Sequence, residues 1–136
     1  MDFSVLMSVY KNDDPDHLRL AFDSIFHKQT LKPTEIILVV DGPIEKKLAD
    51  VILSFDNDYL KTFYLKKNLG LGKALNFGLN KVSYDLVARM DSDDIACPNR
   101  FEIQLKEFSS DEDLVLLGGH IEEFGLAKKR VRKVPV

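Results

Sequence analysis

Glu35-Ile36-Ile37-Leu38-Val39-Val40-Asp41-Gly42 sets an unbroken aliphatic run, mostly β-branched, between an acid and an Asp-Gly pair. A run this short, ended by turn residues, predicts a strand buried on both faces. It is far from the roughly 20 apolar residues of a membrane helix. Upstream, Ser4 to Tyr10 predicts a second buried strand, and Asp14-Pro15 supplies an N-cap with proline at the first helical position. Leu18, Phe22, Ile25 and Phe26 then recur at helical spacing. Downstream the same grammar repeats: a helical stripe at Leu48, Val51, Ile52 and Phe55, a strand from Leu60 to Leu65, and a stripe at Leu71, Leu75, Leu79 and Val82. A strand from Asp85 to Met90 follows, then a helix opened by Pro98 and carrying Phe101, Leu105 and Phe108. Leu114 to Leu117 predicts a fifth strand, ending at Gly118-Gly119. Alternating strands and helices with near-continuous apolar strands call for an α/β chain, a three-layer α/β/α sandwich around a mainly parallel sheet.

Composition bounds the class. The 136 residues are 45% hydrophobic and 30% charged, with 7 Gly and 5 Pro, which excludes disordered and collagen-like chains and suits one domain, residues 1–136. One cysteine, Cys97, excludes an intrachain disulfide framework and reads as a small packing residue in a reducing compartment. The start, Met1-Asp2-Phe3-Ser4, lacks the basic region of a secretory signal, so the expected location is cytoplasmic. A net charge of -3 gives no global reason to expect nucleic acid. Charge is uneven, however: Lys128-Lys129-Arg130-Val131-Arg132-Lys133 forms a basic tail over 126–136, either a solvated face or a phosphate or membrane-surface contact.

Ligands of parallel sheets bind beyond the carboxyl ends of the strands. The densest chemistry there is Asp91-Ser92-Asp93-Asp94, three carboxylates in four residues after the fourth strand. Like charges this close repel, and oxygen donors suit Mg2+ or Mn2+ bridging a substrate diphosphate. The alternative is an acidic loop capping the next helix. Asp41-Gly42 offers either an acceptor for a ribose or base or an ordinary Asp-Gly turn. Asn68-Leu69-Gly70-Leu71-Gly72-Lys73 permits close backbone approach, with Lys73 able to meet a phosphate, or is simply a tight strand-to-helix turn. It is neither a Walker loop nor a dinucleotide fingerprint. His17, His27 and His120 lack zinc spacing, and no serine stands in a Gly-x-Ser-x-Gly elbow.

Five segments in order, Ser4 to Tyr10, Glu35 to Gly42, Asn68 to Gly78, Ala88 to Asp94 and Pro98 to Phe101, resemble the nucleotide-binding half of glycosyltransferase family 2. The resemblance covers roughly residues 3–125 and implies a GT-A fold that binds a nucleotide-diphosphate sugar, most often a UDP-sugar, with inversion at the anomeric carbon. By that resemblance Ser8, Val9 and Tyr10 line the base through their backbone, Asp41 accepts a bond from the base, and Lys73 and Asn76 approach the nucleotide or its phosphates. Asp91 and Asp93 correspond to the Asp-x-Asp motif that holds Mg2+ or Mn2+, with Asp91 and Ser92 also counted among the nucleotide-sugar contacts.

Three departures stand out. Val40-Asp41-Gly42-Pro43 occupies the place of Asp-Asp-Gly-Ser, and Leu75 stands where the family often has arginine. The chain is also short, with no residue matching the downstream acid that deprotonates the acceptor hydroxyl. The expectation is a truncated fragment that binds donor, lacks its base and is inactive alone, its basic tail leading into a missing acceptor region. The implied acceptor is a glycan or lipid-linked sugar of surface polysaccharide synthesis; peripheral contact with the inner face of the membrane and a homodimer stay open. Two rival readings are an aspartyl-phosphate phosphohydrolase with Asp91 as nucleophile, and a non-enzymatic receiver-like module.

Overall fold

The structure, a computed structural model, describes residues 1–55, 57–124 and 130–132. The chain divides into two compact units, Met1–Glu102 and Ile103–Val136. In the first, β1 (Ser4–Val9), α1 (Pro15–Phe26), β2 (Glu35–Val40), α2 (Lys46–Ser54), β3 (Leu60–Tyr64), α3 (Leu71–Leu79) and β4 (Val87–Arg89) alternate, and α4 (Arg100–Ser110) begins. All four strands are parallel, in the order β3-β2-β1-β4. The expected α/β architecture with a parallel sheet is therefore what the chain adopts.

Every residue of β2 is buried, as its aliphatic run requires for a central strand. Asp14 caps α1 as expected, its Oδ1 accepting from the amides of Asp16 and His17 at 2.8 and 3.3 Å. With right-handed crossovers, stepping from β1 to β2 to β3 puts α1 and α2 on one face, and the return to β4 puts α3 on the other. On the first face Phe22 meets Phe26 and Phe55 edge-on, with centroids 5.5 and 5.1 Å apart. Among the described residues no helix is long and apolar enough to cross a membrane.

Three sequence expectations need correction. The expected stripe of α3 is only partly its buried face: Leu75 and Val82 pack on the core, but Leu71 and Leu79 are exposed, and Ala74 and Gly78 meet the sheet. A Cβ on Gly78 would lie 2.5 Å from Leu6 Cδ1 and 2.8 Å from Val39 Cγ2, so small residues let the helix backbone come close and the leucines fall to its flanks. Leu114 to Leu117 makes no strand, and Val115 and Leu116 are exposed, because an apolar run becomes a strand only where a ladder partner is present. Cys97 is exposed and is not a packing residue.

In the second unit β5 (Ile121–Glu123) pairs antiparallel with β6 (Arg130–Arg132). The middle of the expected basic tail is therefore strand; residues 125–129 and 133–136 lie outside the described residues.

At the amino ends of the strands, Glu35 is buried and gathers four donors. Ser4 Oγ donates at 2.6 Å, Lys61 Nζ at 2.8 Å, Ser83 Oγ at 2.9 Å, and the Ser83 amide donates as well. One carboxylate thus joins β1, β2, β3 and the segment leading to β4.

Candidate functional site

The chain steps outward from β1 to β2 to β3 and then returns to place β4 on the other side of β1. Where the strand order reverses, between β1 and β4, a crevice opens at the carboxyl ends. A cavity of about 360 Å³ occupies that position. Of the residues expected from the sequence it is lined by Ser8 and Tyr10 after β1, Asp41 after β2, and Asp91, Ser92 and Asp93 after β4. Register explains the meeting: Leu6 pairs with Arg89 and its carbonyl accepts from the Met90 amide at 3.1 Å, so Asp91 emerges beside Ser8.

Asp13, Asn68, Gly70 and Leu71 line the cavity too. For Asp13 the signal in the sequence was position alone, in a loop that follows a strand, whereas Asn68, Gly70 and Leu71 fall in the segment read as permitting close backbone approach. Asp13 Oδ2 accepts from the Tyr10 amide at 2.9 Å and shapes the turn after β1. Val9 is buried in the strand, and its carbonyl accepts from the Asp41 amide at 2.8 Å. Lys73 is exposed on α3 and is not among the lining residues. Asn76 lines a different groove of about 370 Å³, with Leu6, Leu75, Leu79, Val87 and Arg89.

Asp41 is buried, and both of its oxygens are used within the chain: Oδ1 accepts from the Leu69 amide at 2.8 Å and Oδ2 from the Gly70 amide at 3.0 Å. It thereby ties the loop after β3 to the end of β2, and each oxygen keeps a lone pair for a ligand. Gly42 makes the approach possible. Its φ is +91°, and an added Cβ would stand 2.6 Å from the Asn68 nitrogen, with backbone on every near side. Gly42→Ala is expected to lower stability by about 3 kcal/mol through positive-φ strain and this collision, read as an earlier urea midpoint. A midpoint within error of the unaltered chain would refute this account of the loop.

Asp91, Asp93 and Asp94 each bring a carboxylate oxygen within 4.8 Å of the others, all exposed. Arg89 Nη2 meets Asp91 Oδ1 at 2.9 Å, and Arg100 Nη2 donates to the Arg89 carbonyl at 2.8 Å. Partial burial, and then the charges of Asp91 and Asp93, push the Asp94 carboxyl above its ordinary 3.8, while Arg100 and Arg89 oppose them. Three gathered oxygen donors at this cavity fit a hard divalent cation such as Mg2+ or Mn2+.

The family model described as "Glycosyl transferase family 2" matches residues 4–133. The chain belongs to this family. It is 43% identical over 136 residues to the amylovoran biosynthesis glycosyltransferase AmsE of Erwinia amylovora, covering 98% of this chain and 51% of that protein. It is 46% identical over 138 residues to the UDP-Gal:alpha-D-GlcNAc-diphosphoundecaprenol beta-1,3-galactosyltransferase of Escherichia coli, covering 98% of this chain and 50% of that one. The chain thus spans about half the length of these curated relatives. Among solved structures, S. aureus TarS 1-349 in complex with UDP-GlcNAc is similar with a TM-score of 0.63 at 27% identity, over 82% of this chain and 32% of that one. A mannosyltransferase from Pyrobaculum calidifontis, in complex with GDP-Man and Mn2+, shares the fold at a TM-score of 0.60 and 18% identity, over 74% and 30% of the two chains. Family membership and the GT-A fold set aside the phosphohydrolase and receiver readings.

Proposed function

We propose that the chain binds the nucleotide-diphosphate sugar, a UDP-sugar, for an inverting glycosyltransferase that acts on a lipid-linked or glycan acceptor in surface polysaccharide synthesis. The observation that carries this reading is the single cavity at the β1/β4 reversal, where Ser8, Tyr10, Asp41, Asp91, Ser92 and Asp93 share one wall-to-wall space. Support for the donor comes from relatives: one is named for a UDP-galactose donor and a diphosphoundecaprenol-linked acceptor, and one similar structure holds UDP-GlcNAc.

The roles are those the family resemblance implies, assigned to the residues that share this cavity. In this assignment Asp41 and the backbone of Ser8 to Tyr10, at the ends of β2 and β1, receive the base, and Ser92 is a further nucleotide-sugar contact. Asp91 and Asp93, with Asp94 near, hold the divalent cation. When bound, that cation neutralises charge on the departing diphosphate, several kcal/mol of transition-state stabilisation. Asn76 and Lys73 lie on α3, whose first residue, Leu71, lines the cavity, and are assigned to the segment that approaches the nucleotide or its phosphates. None of the lining residues is assigned the base that deprotonates the acceptor, so the isolated chain is expected to bind donor without transferring it.

Titration calorimetry with UDP tests the reading directly. UDP is expected to bind in the presence of Mn2+ or Mg2+ and to lose that binding when the cation is chelated. Affinity unchanged by a chelator would count against a metal-dependent donor site.

A further inference from the structure

The acidic turn is held at its upstream end by the sheet, through the Met90 amide on the Leu6 carbonyl at 3.1 Å. Its downstream end is held by buried side chains on and just beyond α1, far away in sequence. The Ala96 amide donates to Ser24 Oγ at 3.1 Å. Gln29 Nε2 donates to the Cys97 carbonyl at 2.7 Å and to the Ser24 carbonyl at 3.0 Å, while Gln29 Oε1 accepts from the Phe101 amide at 3.3 Å. The Thr30 amide adds a bond to the Pro98 carbonyl at 2.8 Å. Ser24 and Gln29 are 1% and 4% exposed, so these bonds are shielded from water and expensive to break.

Between the two anchors lie residues 91–95, and three of them carry like charges that repel, Asp91 being paired with Arg89 at 2.9 Å. An unanchored turn relieves that repulsion by spreading; an anchored one keeps its oxygens gathered. We infer that Ser24 and Gln29 are positioning residues for the divalent cation, holding the downstream end of the Asp91–Asp94 turn so that its carboxylates converge. The inference rests on the metal-dependent donor binding proposed above. Residues that orient metal ligands without touching the metal typically change affinity by about 10- to 100-fold when replaced.

The test is Mn2+ affinity, read by the loss of the free-ion electron paramagnetic resonance signal well below the unfolding temperature. Gln29→Met keeps the volume and removes all three bonds; it is expected to weaken Mn2+ binding about tenfold. Ser24→Ala removes the bond to Ala96 and is expected to weaken it by a smaller factor, which keeps the test alive if Gln29→Met does not fold. Leu48→Ala opens a cavity under α2, away from the turn, and is expected to lower stability with Mn2+ affinity intact. Equal affinity in Ser24→Ala, Gln29→Met and the unaltered chain, or an equal loss in Leu48→Ala, overturns the positioning role and leaves donor binding standing. No Mn2+ binding by the unaltered chain overturns both.

Discussion

Asp93→Ala is expected to reduce Mn2+-dependent UDP affinity about 100-fold, close to 3 kcal/mol, in titration calorimetry. Asp93 lines the donor cavity and lies in the three-carboxylate group, so its loss removes one hard donor and leaves the others to hold the cation. Asp91 is less clean a target because it also pairs with Arg89 at 2.9 Å, and its removal frees a guanidinium beside the cation. The matched control is Asp50→Ala, which deletes an exposed acid on α2 paired with Lys46 and is expected to leave UDP binding unchanged. A Kd for Asp93→Ala within twofold of the unaltered chain would sink the metal assignment.

Acid is expected to weaken the fold through Glu35. Burial raises its pKa, but hydrogen bonds from Lys61, Ser4 and Ser83 outweigh burial and hold the carboxyl at about 2, against 4.5 for an unperturbed glutamate. A group whose folded pKa is lowered contributes stability that is complete above its unfolded pKa and lost as pH falls through the folded one. The window here is pH 4.5 down to about 2, and the contribution at neutral pH is on the order of 3 kcal/mol. Glu35→Gln places an amide N–H2 among four donors, cannot satisfy them all, and is expected to lose a similar amount at pH 7, about 10 °C in Tm. The difference between the two proteins should shrink as pH falls through that window. A gap that stays constant between pH 7 and pH 3 would show that the charge of Glu35 plays no part.

Much of the cavity lining was legible from strand ends, with Ser8 added by the family resemblance. Ser8, Tyr10, Asp41, Asp91, Ser92 and Asp93 all line one cavity, because an apolar strand ended by polar residues announces where its carboxyl end lies. Asp13 belonged to the same loops but carried no distinguishing chemistry. Lys73 and Asn76, from the Asn68 to Gly78 motif, are not among the residues that line this cavity, and Asn76 lines a separate groove. Ser24 and Gln29 were invisible because their partners lie about 70 positions away and are backbone groups that any residue possesses.

The order of strands and helices as far as α4, the burial of β2, the Asp14 cap and the gathering of acids after the fourth strand follow from the linear chain, since each depends on the period and polarity of neighbouring residues. Which strand lies beside which does not, because periodicity records that a residue is buried and not what buries it. Only the tertiary structure put β4 against β1, opening the crevice, turned Ala74 and Gly78 of α3 toward the sheet, and brought Ser4, Lys61 and Ser83 around Glu35. Those choices belong to close packing and to the satisfaction of buried polar groups, which are settled between segments distant in sequence.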